Sequence, residues 1–225
     1  MIQGRIKLNM LAGGFRLSFF SVLMLLGLMP NNAALAASPD NAIKVCSYCH
    51  GKAGASTEPE VPIIGGYSTE FLVNNITTYR DHERDCPDTK YRSGPNKGKT
   101  TNMCQVAHSL TDSDIRQIAV YFSKKKFVRA KQQTDAALVA KGKDIHEYYC
   151  EKCHSEGASE AKDDAGMMAG QWMPYLRQAF DEFATGKRPI PKKMKLKFEQ
   201  LAPEDMEALV HYYGSFIDFP GGEPQ

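Results

Sequence analysis

The chain has 225 residues, of which 28 are basic and 26 are acidic, giving a formal net charge of +2. Without residues 1–36, 25 basic and 26 acidic residues remain, and the charge falls to about −1. Such a balance lacks the basic surface of a nucleic-acid-binding protein, so we expect no nucleic-acid partner. The remaining length, about 190 residues, suits one ordinary domain or two small ones.

The N-terminal segment is typical of a secretory signal. Basic residues precede an apolar run from Ser18 to Met29, which is too short to span a bilayer comfortably. Small residues at Ala34 and Ala36 suit cleavage by signal peptidase. We therefore predict a signal peptide over 1–36, a periplasmic protein that begins at Ala37, and no membrane span after cleavage. The alternative is an uncleaved anchor.

Two segments about 100 residues apart carry the pattern Cys-x-x-Cys-His. They are Cys46-Ser47-Tyr48-Cys49-His50 and Cys150-Glu151-Lys152-Cys153-His154. The pattern is typical of c-type haem, because two thiols one helical turn apart can each add to a vinyl group while the histidine binds the iron. It predicts two covalently bound haem c groups. A thioredoxin-like pair does not require the histidine, and a zinc site would want a second Cys/His pair for each motif.

The two halves of the chain repeat beyond these motifs. Gly65-Gly66 precedes Phe71-Leu72 in the first half, and Gly170-Gln171 precedes Tyr175-Leu176 in the second. Each half then reaches a methionine and a final amphipathic helix. The order in each is helix, haem motif, loop, helix, methionine loop and helix. We predict one helical domain over 37–128, a linker over 129–134 and a second domain over 135–225.

Local signals place the helix starts. Thr111 is predicted to cap the last helix of the first half with Asp114 at its third position. Pro203 suits the first turn of the equivalent helix in the second half. The second half is predicted to begin with a helix over Asp135 to Tyr149. Each domain is too small for a large apolar core, so we expect haem to supply much of the buried surface.

The sixth iron ligand is predicted to be a methionine. Met103 and Met194 each lie seven positions before the leucine that precedes a final helix. A thioether on iron closes the sixth site and raises the potential, which suits electron transfer. The competing methionines of the second half are Met167, Met168, Met173 and Met206. The other histidines do not recur at matching places and are expected at the surface or in hydrogen bonds: His82, His108, His146 and His211.

The surroundings of the predicted ligands allow three more expectations. Pro62 can present a carbonyl to the proximal His50. Trp172 is expected to pack beside the second haem. Four lysines near Met194 either rim an exposed haem edge and steer an acidic partner, or simply form a solvated loop. They are Lys192, Lys193, Lys195 and Lys197.

Cys86 and Cys104 lie in an insertion that lengthens the first half. Two leftover cysteines in an oxidising compartment usually pair, so we predict a Cys86–Cys104 disulfide. Because Cys104 follows Met103 directly, we hypothesise that the bond restrains the ligand loop. The alternative is that the disulfide stabilises the loop without any effect on the ligand.

The arrangement of two haem motifs, each with a methionine before a final helix, resembles the dihaem cytochrome c4 group over nearly all of the chain after residue 36. The second half also resembles the cytochrome subunit of flavocytochrome c sulfide dehydrogenase. The matching segments are Lys143–His154, Ala169–Leu176, and Arg188-Pro189 with Lys192-Lys193-Met194. The first half matches less closely, because the insertion with Cys86 and Cys104 departs from the pattern.

The resemblance implies an all-α fold of two tandem class I cytochrome c domains related by pseudo-twofold symmetry. It also implies a flavoprotein partner that carries FAD, and a soluble electron acceptor such as a small cytochrome. The isolated chain is then not expected to be an enzyme. One alternative is a free-standing c4-type shuttle to a terminal oxidase. Another is a dihaem enzyme such as a thiosulfate dehydrogenase, which needs an open or labile sixth site on iron.

Overall fold

The computed structural model describes residues 39–218, which belong to one compact unit. Within them lie nine α-helices, two short 3-10 helices (Lys52–Gly54 and Ala161–Asp163) and one antiparallel hairpin. The helices are α1 (Pro39–His50), α2 (Thr69–Arg80), α3 (Met103–Ala107), α4 (Asp112–Ser123), α5 (Ala136–Tyr149), α6 (Ser155–Ala158), α7 (Met173–Ala184), α8 (Lys192–Phe198) and α9 (Pro203–Gly214). The hairpin pairs β1 (Thr89–Lys90) with β2 (Thr100–Thr101).

The predicted signal segment lies outside the described residues, as do positions 219–225. In the part that is described, no helix combines the length and the apolar character needed to cross a membrane.

The first half packs α1, α2 and α4 around one apolar cluster. The helical spacing in α4 brings Ile118, Ala119 and Phe122 to the same face, and all three are buried. As predicted, Thr111 caps this helix: its hydroxyl accepts from the Asp114 N–H, while the Asp114 carboxylate accepts from the Thr111 N–H. This fixes the helix start directly after the segment that carries Met103.

The second half packs α5, α7 and α9 around a separate cluster. Helix α5 begins where predicted, with the Asp135 carboxylate accepting from two backbone N–H groups. Pro203 occupies the first turn of α9, also as predicted. Gly142 allows α5 to cross α9 closely, because a Cβ there would overlap the carbonyl of Ala208. The crossing holds the end of α5, and with it the second motif, against α9.

The sequence repeat is visible in the backbone. Gly66 and Gly170 both have positive φ values, +86° and +81°. Their N–H groups donate to the carbonyls of Phe122 and Tyr213, at equivalent positions of α4 and α9. The structural equivalent of Gly170 is therefore Gly66, not the first glycine of the Gly65-Gly66 pair. These bonds tie each loop after a haem motif to the last helix of its half.

The two halves meet through a pair of equivalent residues, Tyr67 and Gln171. The Gln171 amide is fully buried and pairs with both backbone groups of Ile63, at 3.0 and 2.9 Å. The Tyr67 hydroxyl donates to the carbonyl of Met167 at 3.0 Å. Because buried polar groups left without partners are costly, this network fixes the contact between the halves.

Trp172 takes part in the same contact between the halves, and its packing beside the second haem stays a prediction. Its indole N–H donates to the carbonyl of Ser56 at 3.0 Å, and its ring packs against the cluster of the first half. The sequence places Trp172 at the start of α7 in the second half, but its side chain points across the interface. The connection between α4 and α5 is irregular and contains the predicted linker 129–134.

Candidate haem sites

The first motif ends α1 and places His50 in a buried position. As expected, the carbonyl of Pro62 lies 2.8 Å from the His50 Nδ1, in hydrogen-bonding geometry. That bond leaves Nε2 as the nitrogen that can bind a metal. Burial lowers the pKa of His50, although the Pro62 carbonyl opposes the shift. The imidazole is therefore neutral at pH 7, which is the form that binds metals.

His154 differs from His50 in its hydrogen bonding. Its Nδ1 is buried and makes no hydrogen bond within the described residues. Gly166 stands twelve positions after His154, as Pro62 does after His50. The position equivalent to Pro62 is therefore a glycine, but the structure shows no hydrogen bond from it to His154, and the residue that orients this imidazole stays a prediction. Burial also lowers the pKa of His154.

None of the four motif cysteines belongs to a disulfide. Burial raises the pKa of Cys46 to about 12 and also raises the pKa of Cys49 and Cys150. Cys153 is exposed, whereas the other three are partly covered.

The predicted methionine ligands occupy equivalent but not identical positions. Met103 is the first residue of α3 and is half-buried, with Asn102 capping the helix. Met194 lies inside α8 and packs against the second cluster. Three competing methionines have other roles: Met167 is buried in the first cluster, Met173 in the second, and Met206 packs on the core face of α9. Met168, the fourth competitor, packs against the second cluster as Met194 does, so Met103 and Met194 stay predicted ligands.

Cys86 and Cys104 form a disulfide in the structure, with their Cα atoms 5.8 Å apart. The bond joins the loop before β1 to the second residue of α3. It therefore closes the inserted hairpin and ends beside Met103.

A hydrogen-bonded group behind the second motif was not predicted in detail. His146 is fully buried, and its ring nitrogens lie 3.0 Å from the Tyr213 hydroxyl and 2.6 Å from the Glu151 carboxylate. Glu151 also accepts from the N–H groups of Glu156 and Gly157. His146 is thus a hydrogen-bonding residue, as expected, but not a surface one. The hydrogen bonds among His146, Tyr213 and Glu151 stabilise the turn that carries Cys150 to His154.

A buried ion pair also joins the halves, and sequence analysis missed it. Arg84 and Glu182 have side chains only 2% and 5% exposed, with their charged atoms 2.6 Å apart. Arg84 lies over the ring of Tyr79, and the equivalent Arg188 lies over Phe183. The equivalence of Arg84 and Arg188 was a detectable signal, because both follow α2 and α7 at the same spacing.

The residues present fit haem at both motifs. Each has two cysteines at the required spacing and an imidazole whose Nε2 makes no hydrogen bond within the described residues, and the Nδ1 of His50 also faces the Pro62 carbonyl. Among those residues no cluster of three or more His, Cys, Asp and Glu could hold a metal ion by itself.

Comparison with known proteins agrees with this fit. The chain is 33% identical over 88 residues to cytochrome c-554(548) of Halomonas halodenitrificans, covering 39% of this chain and 93% of that protein. It is 26% identical over 206 residues to cytochrome c4 of Pseudomonas aeruginosa, covering 85% of this chain and 94% of the relative. The chain belongs to the cytochrome c4-like family of dihaem cytochromes. No model of a protein family matches it.

Solved structures show the same fold. Reduced recombinant cytochrome c4 from Pseudomonas stutzeri superposes with a TM-score of 0.63 at 21% identity, over 79% of this chain and 96% of that one. Thiosulfate dehydrogenase (TsdBA) from Marichromatium purpuratum gives 0.58 at 23% identity, over 76% of this chain and 36% of that one. The prediction of an all-α fold with two tandem cytochrome c domains is confirmed, as is that of two covalently bound haem c groups.

Proposed function

We propose that Cys46, Cys49, Cys150 and Cys153 form the thioether bonds to the two haems. His50 and Met103 would hold the iron of the first haem, and His154 and Met194 that of the second. Haem would supply an iron that changes between the ferrous and ferric states. The chain would orient His50 through the Pro62 carbonyl and would leave neither iron an open position, because each also receives a thioether. With both positions closed, the protein transfers electrons and binds no substrate at iron.

We further propose that the chain is the electron-accepting subunit of a flavocytochrome c sulfide dehydrogenase in the periplasm. The observation that carries this proposal is the position of the resembling segments. Lys143–His154 forms the end of α5 and the second motif, Ala169–Leu176 makes the contact between the halves, and Met194 lies in α8. These segments comprise the second haem motif, its predicted methionine ligand and part of the contact between the halves. Electrons would pass from the FAD of the partner to one haem, then to the other, then to a soluble acceptor such as a small cytochrome.

A free-standing electron shuttle is the second candidate function. It is favoured by the match to cytochrome c4 over 94% of that relative. The likeness to thiosulfate dehydrogenase offers a third, in which the chain would serve or form part of an enzyme. That function needs an iron with an open or labile sixth position.

Purification of the native protein separates these functions. We expect it to copurify with a larger flavin-containing polypeptide, and sulfide to reduce both haems in that complex but not in the isolated chain. A single red polypeptide without flavin would favour the shuttle. Carbon monoxide binding by the reduced isolated chain tests the enzyme alternative, because only an iron with an open position binds it. We expect no binding.

Replacement of both disulfide cysteines tests the proposed role of the insertion. In Cys86→Ser/Cys104→Ser we expect the Met–iron charge-transfer absorption of the first haem to weaken, because the restraint beside Met103 is lost. Unfolding should become easier by about 3 kcal/mol, the chain-entropy value for a loop of this size. Absorption and denaturant titration measure the two effects. If stability falls while the Met–iron absorption band and the midpoint potential stay unchanged, the disulfide stabilises the loop without acting on the iron ligand.

A further inference from the structure

The inserted hairpin of the first half lies directly on the first haem motif. Between β1 and β2 the chain forms a loop over 91–99. In that loop the N–H and the hydroxyl of Ser93 both donate to the carbonyl of Tyr48, the third residue of the motif, at 3.0 and 3.1 Å. A Cβ on Gly94 would lie 2.5 Å from the Tyr48 ring. Hydrogen bonds and close packing therefore hold the loop against the motif.

This contact places Arg92, the residue before Ser93, beside Cys49. Burial raises the pKa of Cys49, and both the backbone of Arg92 and the charge of its guanidinium oppose that rise. Cys49 is one of the two cysteines expected to bond to the edge of the first porphyrin. A charge beside its sulfur therefore also acts on the macrocycle. Because arginine stays protonated at every physiological pH, that charge is permanent.

Two carboxylates neutralise the charge of Arg92 only in part. Its guanidinium lies 3.7 Å from the carboxylate of Glu58 and 3.8 Å from that of Glu60. Both distances exceed the length of a hydrogen bond, about 3 Å. The Nε of Arg92 is buried and makes no hydrogen bond within the described residues. The Arg92 side chain is 32% exposed, against 41% and 68% for the two glutamates, so solvent screens the acids more strongly than the cation.

The inserted hairpin has no counterpart in the described part of the second half. There seven residues, 185–191, separate α7 from α8, whereas 22 residues, 81–102, separate α2 from α3. The hairpin and Arg92 lie within these additional residues. The two motifs therefore experience different electrostatic surroundings, although the same kinds of ligand are predicted for both irons.

We propose that Arg92 tunes the first haem: its guanidinium raises the midpoint potential of that haem, and Glu58 and Glu60 moderate the increase. Reduction adds one electron to a ferric iron and lowers the net charge of the haem by one, and no bond is formed or broken. A nearby cation disfavours the more positive ferric state, so it favours the reduced haem. This inference rests on the proposal that the first motif holds one of the two haems.

Redox titration of the full-length dihaem protein tests this role. In Arg92→Gln we expect the ratio of ferrous to ferric iron in the first haem, at a fixed ambient potential, to fall about fivefold. Nuclear magnetic resonance of partly oxidised samples measures the ratio for each haem separately, because the methyl groups of each ferric haem have their own shifted resonances. The second haem is the internal control and should change by less than about twofold.

Glu58→Gln/Glu60→Gln distinguishes the charge of Arg92 from a structural role. This variant breaks the same ion pairs but leaves the guanidinium uncompensated, so the ratio for the first haem should rise about threefold. If the ion pairs served only to hold the hairpin on the motif, this variant and Arg92→Gln would shift the ratio in the same direction. Arg92→Lys keeps the charge and should stay within about twofold of the unchanged protein.

The matched control is Arg116→Gln, which removes a positive charge from an exposed ion pair with Glu70 in the same half. It should change the ratio by less than about twofold. The proposal is overturned if Arg92→Gln has no larger effect than this control, or if it shifts both haems equally. An unchanged or lower ratio in Glu58→Gln/Glu60→Gln contradicts it independently, even if Arg92→Gln loses the hairpin.

Haem content separates a failure of this inference from a failure of the proposed function. If two covalent haems are present and neither reduced iron binds carbon monoxide, an unchanged first haem in Arg92→Gln disproves only the tuning by Arg92. If Cys46→Ala/Cys49→Ala still holds two covalent haems, the first motif is not an attachment site and the proposed haem sites are wrong.

Discussion

Replacement of Cys46 and Cys49 by alanine is expected to reduce covalently bound haem from two equivalents to one per chain and to unfold the first half. The apolar cluster of that half draws on three short helices, α1, α2 and α4. A core this small gives little stability by itself, and the haem supplies much of its buried surface. Haem content can be measured by the pyridine haemochrome assay, and helix content by far-ultraviolet circular dichroism.

The control for this experiment is Cys86→Ser/Cys104→Ser, which also removes two cysteines from the first half but leaves the motif intact. It should keep two equivalents of haem. If the Cys46→Ala/Cys49→Ala variant also retained two covalent haems, these cysteines would not be the attachment points.

Substitution of Glu182 by glutamine is expected to lower the free energy of unfolding by about 3 kcal/mol. The change leaves the Arg84 guanidinium buried between the halves without its counter-charge, and an unpaired buried charge is strongly destabilising. The pair spans residues 98 positions apart, so the loss should loosen the contact between the halves. Urea denaturation of the dihaem protein, followed by tryptophan fluorescence and by haem absorbance, measures the effect.

Two further variants make this result specific. Arg116→Gln breaks an ion pair with Glu70 whose side chains are more than half exposed, so it should cost less than about 1 kcal/mol. Arg84→Met/Glu182→Leu removes both buried charges and should recover most of the lost stability, because apolar pairs often replace buried ion pairs without loss. Equal destabilisation by Arg116→Gln and Glu182→Gln would contradict a special role for the buried pair.

Sequence patterns predicted the helix starts because each start depends on residues close together in the chain. The capping box of α4, the start of α5 at Asp135 and the proline in the first turn of α9 depend on residues within one helical turn. The partner of His50 was predictable for a similar reason, since Pro62 lies in the same loop. The haem motifs are contiguous in sequence, so the chemistry of attachment could be inferred without a structure.

Contacts between distant segments were not predictable in the same way. Trp172 belongs to α7 by sequence, yet its indole bonds to Ser56 because the two halves pack with their equivalent loops in contact. The sequence did not distinguish His146 from the other histidines outside the haem motifs. Its burial against Tyr213 depends on the crossing of α5 with α9. The spacing of apolar residues in a helix predicts which face of the helix is buried, but it does not predict which other element packs on that face.

The amino-acid sequence by itself determined that this chain holds two haems in two helical repeats, because attachment needs only five consecutive residues and each helix follows from its own spacing of apolar side chains. Only the tertiary structure decided how the repeats differ. The buried Arg84–Glu182 pair joins them, and the loop of the inserted hairpin is hydrogen-bonded to Tyr48 of the first motif. These features depend on residues far apart in the chain, whose proximity is set by packing.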